Sequence, residues 1–301
     1  MSLDLQPPDL APRTDRTHRA AATPVGRDRR RGRRNVPAGI AAAVWLLIVA
    51  VPVYYIVITG FRGQNDYIEQ GPLDLPTRPT LENFTALFHL GFTTYLGNSL
   101  MVAFGTVALV LVIALPAAYA VVRNPSRLVR SVFNVFLLGL AVPAQAVIVP
   151  IYLIITRLHL YDTLLAVVLP TAAFSLPIAI VVLTSSLRDI PNELYEAMAV
   201  DGATATRIFG RLVLPLARPG LVSVGIFVGL GAWNGILFPL VLTQSQDQRV
   251  LPLGLWNFQN QYGTNVPGLM AAVVLSALPV LALYLFGRRH LLSGLAAGFG
   301  K

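Results

Sequence analysis

The residue types that usually carry chemistry are scarce in this chain. The four histidines, His18, His89, His159 and His290, are scattered and match no metal-ligand spacing. No G-x-S-x-G or H-E-x-x-H run is present. There are no cysteines, which removes thiolate ligands, cysteine nucleophiles and disulfides together. A phosphate-cradling loop needs a lysine within G-x-x-x-x-G-K-[ST], and the only lysine is the last residue, Lys301. The chain therefore has no P-loop with which to hydrolyse a nucleotide. Four neutral side chains inside apolar stretches remain: Gln145 in LAVPAQAVIVP, Ser175 between Phe174 and Pro177, and Trp233-Asn234 in GAWNGILFP. Amides, a hydroxyl and an indole suit a neutral polyhydroxyl solute, by hydrogen bonding and by stacking on a sugar ring. The same groups serve equally well as interhelical hydrogen bonds.

The elements that must position them are set by hydropathy. The hydrophobic fraction is 55% and the charged fraction 12%, against about 25% charged in soluble domains, so the chain belongs in a bilayer. Uncharged windows run over 35–61, 83–122, 131–156, 163–187, 219–246 and 250–287. A helix rising about 1.5 Å per residue needs roughly 20 apolar residues to cross the hydrocarbon. Each window is long enough, which predicts an all-α integral membrane protein with six transmembrane helices. Their apolar cores lie near 38–60, 97–122, 131–156, 163–187, 219–242 and 268–287. With both termini inside, 19 of the 23 basic residues are cytoplasmic, and only Arg62, Arg78, Arg157 and Arg249 are outside. That asymmetry follows the positive-inside rule, and the reverse topology violates it.

Residues 1–35 are polar, contain prolines and end in RDRRRGRRN, the composition of a disordered cytoplasmic arm that touches anionic headgroups and anchors topology. The apolar run after Arg34 is too long for a signal-peptide core, so it reads as the first span of a six-helix transmembrane domain over 36–301. Pro52, Pro116, Pro143, Pro150, Pro170, Pro177, Pro239 and Pro279 all fall within the windows. Each removes a backbone donor, and kinked helices are tolerated where neighbours or a water-lined path satisfy the freed carbonyls. Gly225-x-x-x-Gly229 and Gly231-x-x-x-Gly235 offer close-packing faces on the fifth helix. No Asp, Glu, Lys or Arg lies in an apolar core, which disfavours proton coupling and voltage sensing. Uphill transport by such a chain requires energy from another polypeptide.

One charged segment interrupts the apolar pattern on the cytoplasmic side, YEAMAVDGATATRIFGRLVLPLARPG over 195–220. Asn192 to Val200 reads as a short helix with Asn192 as N-cap, and Ala197 and Ala199 allow close approach. Gly202 suits the left-handed residue that ends it, and Thr204 or Asp201 caps a second helix carrying Ile208, Phe209 and Leu212. Pro215 and Pro219 then reset the chain before the fifth span. The shape is that of a lever joined to two spans.

This segment resembles the EAA motif of the membrane subunits of binding-protein-dependent ABC importers. Glu196, Ala197, Asp201, Gly202, Ala203, Phe209, Leu214, Pro215, Leu216 and Pro219 match, and Met198 replaces the usual second alanine. TLENFTALF, GNSLMVAF, WNGILFPLVLT, LPLGLWNFQNQYGT and HLLSGLAAGFGK resemble the carbohydrate-uptake branch, in particular its maltose-transporter-like smaller permease subunit. The resemblance implies a type I ABC importer permease fold with a cytoplasmic coupling helix, in the cell (inner) membrane. It implies no enzymatic activity and no cofactor in this chain, with ATP and Mg bound by a partner ATPase. The implied partners are a second, different permease, two copies of a cytoplasmic ABC ATPase, an extracytoplasmic sugar-binding protein, the sugar and the lipid bilayer, with no nucleic acid. Glu196, Ala197, Met198, Asp201, Gly202, Ala203, Phe209 and Pro215 would couple to the ATPase, and Gln145, Ser175, Trp233 and Asn234 are candidates for the solute path. The outer loop 243–267, with its polar TQSQDQR, is expected to reach toward the binding protein. An importer for another solute and an ATP-independent facilitator are the alternatives.

Overall fold

A computed structural model describes residues 36–260 and 263–299. The Arg-rich arm over 1–35 and the last two residues lie outside the described residues. The chain divides into two units, residues 1–48 and 49–301, and helix α1 (Val36–Gly60) runs across the boundary. In the first unit, Trp45, Leu46 and Leu47 are exposed. Apolar side chains on all sides of a helix are stable only in hydrocarbon or against other protein.

In the second unit follow α2 (Gln64–Glu69), α3 (Glu82–His89), α4 (Phe92–Arg123), α5 (Arg127–Leu138), α6 (Ile148–Arg157) and α7 (Leu164–Arg188). Then come α8 (Asn192–Val200), α9 (Ala205–Ile208), α10 (Leu214–Leu216), α11 (Arg218–Asn234), α12 (Leu237–Leu242), α13 (Leu251–Gly254) and α14 (Val266–Phe299). Apart from a two-residue antiparallel pairing of 259–260 with 263–264, the described fold is helical. α4, α7 and α11 form the centre. Val110, Ala114, Leu115, Leu183, Leu187, Val224 and Val228 are buried together there. Small residues bring the axes close: Gly225 and Gly229 of α11 face Val107 of α4, and Gly105 faces Val168 of α7. The first small-xxx-small pattern is thus used in packing. The second is not, because Gly231 faces open space and Gly235 is the extended residue at the end of α11.

Four described helices are long and apolar enough to cross a membrane, and six crossings result if each of two bent pairs counts as one. The stretch 131–156 is not the single helix its hydropathy predicts. It breaks between Ala141 and Ala144, and the halves differ in direction by 97°. Pro143 lacks an N–H and holds the residue before it extended, and Val142 has φ −83° and ψ 113°. The stretch 219–242 also divides, because Gly235 leaves the helix at φ −64° and ψ 125° before α12 begins. By contrast α1, α4, α7 and α14 run on through Pro52, Pro116, Pro170, Pro177 and Pro279 as single helices. α14 extends well past the predicted 268–287.

A buried arginine organises the loop after α1. Arg62 is fully buried, and its guanidinium donates to the carbonyl oxygens of Gly71 and Asp74. Asn83 of α3 donates to the carbonyls of Gly60 and Arg62, at 2.9 and 2.7 Å. The loop therefore folds back on the end of α1.

Candidate functional site

α8 begins at Asn192, with Pro191 and not Asn192 in the N-cap position. The Asn192 side chain is engaged elsewhere: its Oδ1 accepts from Arg123 Nη1 at 2.9 Å. The helix ends in a Schellman turn. Gly202 is left-handed at φ +71°, its N–H donates to the Ala199 carbonyl at 3.0 Å, and the Ala203 N–H donates to the Met198 carbonyl at 3.0 Å. Thr204 then caps the next segment, its hydroxyl accepting from the Arg207 N–H at 3.4 Å. Asp201 is left as the C-cap of α8.

The return segment is α9, a wide π turn over Phe209–Val213, and α10. Pro215 has no N–H to offer the turn behind it. The residue before it, Leu214, donates to the Phe209 carbonyl, five residues back. At Ala217 the chain turns by 69° into α11, whose first turn contains Pro219.

Three aromatic rings and a cation fix this hairpin to the bundle. Tyr195 is buried and points inward, stacked on Tyr119 of α4 at a centroid distance of 6.5 Å. Tyr119 also meets Phe209 edge-on at 5.5 Å. The Arg123 guanidinium lies 4.2 Å above the Tyr195 ring, a cation–π contact of about 0.5–2 kcal/mol. Burial pushes the Tyr195 phenol above its ordinary range while Arg123 opposes the shift. Its hydroxyl has no hydrogen-bond partner among the described residues. Tyr195, Ile190, Val213 and Ala217 belong to the same buried cluster as Leu187 of α7 and Ala118 of α4.

The opposite face of α8 is bare. Glu196, Ala197, Ala199, Asp201 and Gly202 are exposed, and Val200 is 88% exposed. Met198 and Ala203 are half-buried. The eight predicted coupling residues thus divide by depth. Glu196, Ala197, Asp201 and Gly202 form an uncovered tip, and Phe209 and Pro215 lie half-buried in the return segment. Sequence reading missed Tyr119 and Arg123. Arg123 entered only as a topology charge, and the spacing of 69 residues to Asn192 carries no local signal.

The four candidates for the solute path are placed differently. The Ser175 hydroxyl donates to the Thr171 carbonyl of its own helix at 2.8 Å. Trp233 is buried in a cluster with Tyr95, Leu251 and Ala272. Asn234 is exposed at the end of α11 and donates to the Leu230 carbonyl at 2.9 Å, whereas Gln145 is exposed beside the Pro143 break. No hydrogen bond or ring contact links these four among the described residues. A groove of about 360 Å³ lies between α4, α11 and α14, lined by Val107, Gly225, Gly229, Trp233 and Pro279 among others. Its wall is apolar and does not match a polyhydroxyl solute.

Residues 110–295 match the family described as the inner membrane component of binding-protein-dependent transport systems. The chain is 39% identical over 262 residues to a putative ABC transporter permease protein of Caldicellulosiruptor, covering 87% of this chain and 95% of the relative. It is 35% identical over 263 residues to a diacetylchitobiose uptake system permease protein of Streptomyces coelicolor, covering 87% and 95%. Its fold is similar to a chain of a bacterial ABC transporter that imports the acidic polysaccharide alginate, with a TM-score of 0.75, 20% identity, and coverage of 84% of this chain and 95% of that one.

Proposed function

Because this chain belongs to the family of binding-protein-dependent transport system inner membrane components, we propose that it is the permease subunit of a sugar-importing ABC transporter. In that reading it forms half of the translocation path beside a second, different permease. Two copies of a cytoplasmic ATPase bind ATP and Mg, and an extracytoplasmic binding protein delivers the sugar. In the same reading both termini and α8 are cytoplasmic, which the arginine distribution supports. The sugar class rests on the relationship to the diacetylchitobiose permease and on the neutral side chains Gln145 and Asn234 left exposed at helix breaks.

The observation that carries the coupling role is the two-faced α8. Its tip, Glu196 to Ala203, exposes Ala197, Ala199, Val200 and Gly202 beside the carboxylates of Glu196 and Asp201, a largely small-residue surface that suits a cleft in another protein. Its inner face is fastened by Tyr195 to α4, and the flanking Ile190 and Val213 pack into the cluster that includes α7 and α11. A displacement of the tip by a closing ATPase dimer therefore moves three helices together. The π turn and the 69° bend at Ala217 support a hinge directly before α11.

The test is uptake of a labelled chito-oligosaccharide by the complete complex in proteoliposomes, with and without ATP inside. Uptake that needs ATP and the loaded binding protein supports the assignment. Uptake that proceeds down a gradient without ATP makes the chain a facilitator and overturns it.

A further inference from the structure

The outer ends of α4, α7 and α12 hold one loop more tightly than its sequence suggests. The segment 243–251, from the end of α12 to the first residue of α13, has only a short 3-10 turn over Gln246–Gln248 before α13 begins. Its backbone is tied down by side chains from elsewhere. Asp162, just before α7, stands in the left-handed region at φ +60°. Its Oδ1 accepts from the Gln244 N–H at 2.8 Å, the Ser245 N–H at 3.0 Å and the Ser245 hydroxyl at 3.2 Å. The Asp162 N–H donates in turn to the Leu242 carbonyl at 2.9 Å. From α4, the buried Asn98 amide donates to the carbonyls of Asp247 and Arg249, at 2.7 and 2.8 Å. The buried Ser99 hydroxyl accepts from the Leu251 N–H at 2.8 Å.

These anchors engage much of the loop's backbone, and the side chains of Gln244, Gln246 and Asp247 are exposed, with Gln246 Oε1 accepting from the Tyr95 hydroxyl at 3.4 Å. An irregular loop fixed this way from α4 and from the turn before α7 is pre-organised, which lowers the cost of ordering it at the moment of contact. We propose that Asp162 and Asn98 are positioning residues that hold segment 243–251 as a rigid polar contact surface for the solute-delivering binding protein. The inference rests on the importer reading above. It adds a foothold: the surface over 244–247 stands on α4 through Asn98 and on the turn before α7 through Asp162. The Gln244 N–H, followed by the Ser245 donors, holds the Asp162 carboxyl below its usual range, so the acceptor is charged at neutral pH.

The experiment titrates sugar-loaded binding protein against the reconstituted complex and reads ATPase stimulation as a half-saturating concentration and a maximal rate. Asp162→Ala removes the acceptor and the residue type that tolerates positive φ. Asp162→Asn keeps an Oδ1 acceptor and the same backbone tolerance. Asp162→Ala is expected to raise the half-saturating concentration about tenfold, a difference of about 1.4 kcal/mol, with the maximal rate kept. Asp162→Asn is expected to stay within about threefold of wild type, or roughly 0.7 kcal/mol. Unchanged half-saturation in Asp162→Ala, or an equal loss in both variants, overturns the positioning role. If Asp162→Ala fails to assemble, Gln244→Pro decides by the same criterion. It deletes one donor outside the bundle, and Thr243 before it is already extended as a proline requires. Absence of stimulation in wild type instead refutes the importer reading, and the positioning role with it.

Discussion

Gly202 separates backbone geometry from side-chain contact. It stands at φ +71°, and a β carbon added there would meet nothing within 4 Å. Substitution effects at this site are therefore intrinsic to the backbone. Alanine in the left-handed region costs about 1–2 kcal/mol, enough to lower the population of the native tip by roughly five- to thirtyfold. Asparagine tolerates that region and is expected to remain near wild type. Proline is fixed near −65° and cannot adopt the conformation at all. It also deletes the Gly202 N–H that donates to the Ala199 carbonyl, and opening the turn releases the Ala203 to Met198 bond as well. At about 1 kcal/mol for each bond, the turn loses roughly 2 kcal/mol beyond the conformational cost. The tip then reorients while Tyr195 remains anchored. The assay is ATPase stimulation by loaded binding protein in proteoliposomes, with assembly checked by size exclusion. The expected order is wild type, Asn, Ala and then Pro, with Gly202→Pro assembled but uncoupled. Full stimulation in Gly202→Pro, or an alanine variant as defective as the proline one, refutes the lever.

Three further outcomes follow from named contacts. In Gly220→Ala the new β carbon falls 2.7 Å from Ser186 Oγ and 3.0 Å from Ser186 Cβ. The thermal midpoint of the detergent-purified chain should drop, by a destabilisation of about 1–3 kcal/mol, and Ser186→Gly on that background should restore most of it. Tyr195→Phe removes a buried hydroxyl that has no partner among the described residues and should match or exceed wild-type stability by the same measurement, whereas Tyr195→Ala should lose about 3–5 kcal/mol. The Asp162 carboxyl has a lowered pKa, so its contribution is present above the unfolded carboxylate range near 3.9 and is lost only as pH falls through the depressed folded value. Hydrogen exchange at the Gln244 and Ser245 amides should therefore keep its protection, after correction for intrinsic rates, from pH 7 down to about pH 5.

Much of the hairpin over 192–220 was legible in the sequence because it is locally determined. The left-handed Gly202, the Thr204 cap and the resetting prolines 215 and 219 each act through bonds to residues within a few positions. The span boundaries of α4 and α7 lie close to those expected, since hydropathy is a local sum. The broken third span was not legible from its uncharged window, although Pro143 lay in view. Hydropathy measures how much apolar sequence there is and does not record where a missing N–H redirects it. The N-cap at Pro191 also escaped, because Asn192 is drawn to Arg123 of a helix far back in the chain.

Sequence alone settled that this chain is helical, lies in a membrane, lacks a nucleotide site of the P-loop type, and carries an Ala-tipped turn ending at Gly202. Each of these depends on composition or on neighbours along the chain. The tertiary structure decided which face of α8 is buried, through Tyr195, Tyr119 and Arg123. It also fastened loop 243–251 to α4 and to the turn before α7 through Asn98, Ser99 and Asp162, across separations of 82 to 152 residues. Such pairings are made by helix packing in three dimensions, and a polar side chain looks the same in the sequence whether or not its distant partner arrives.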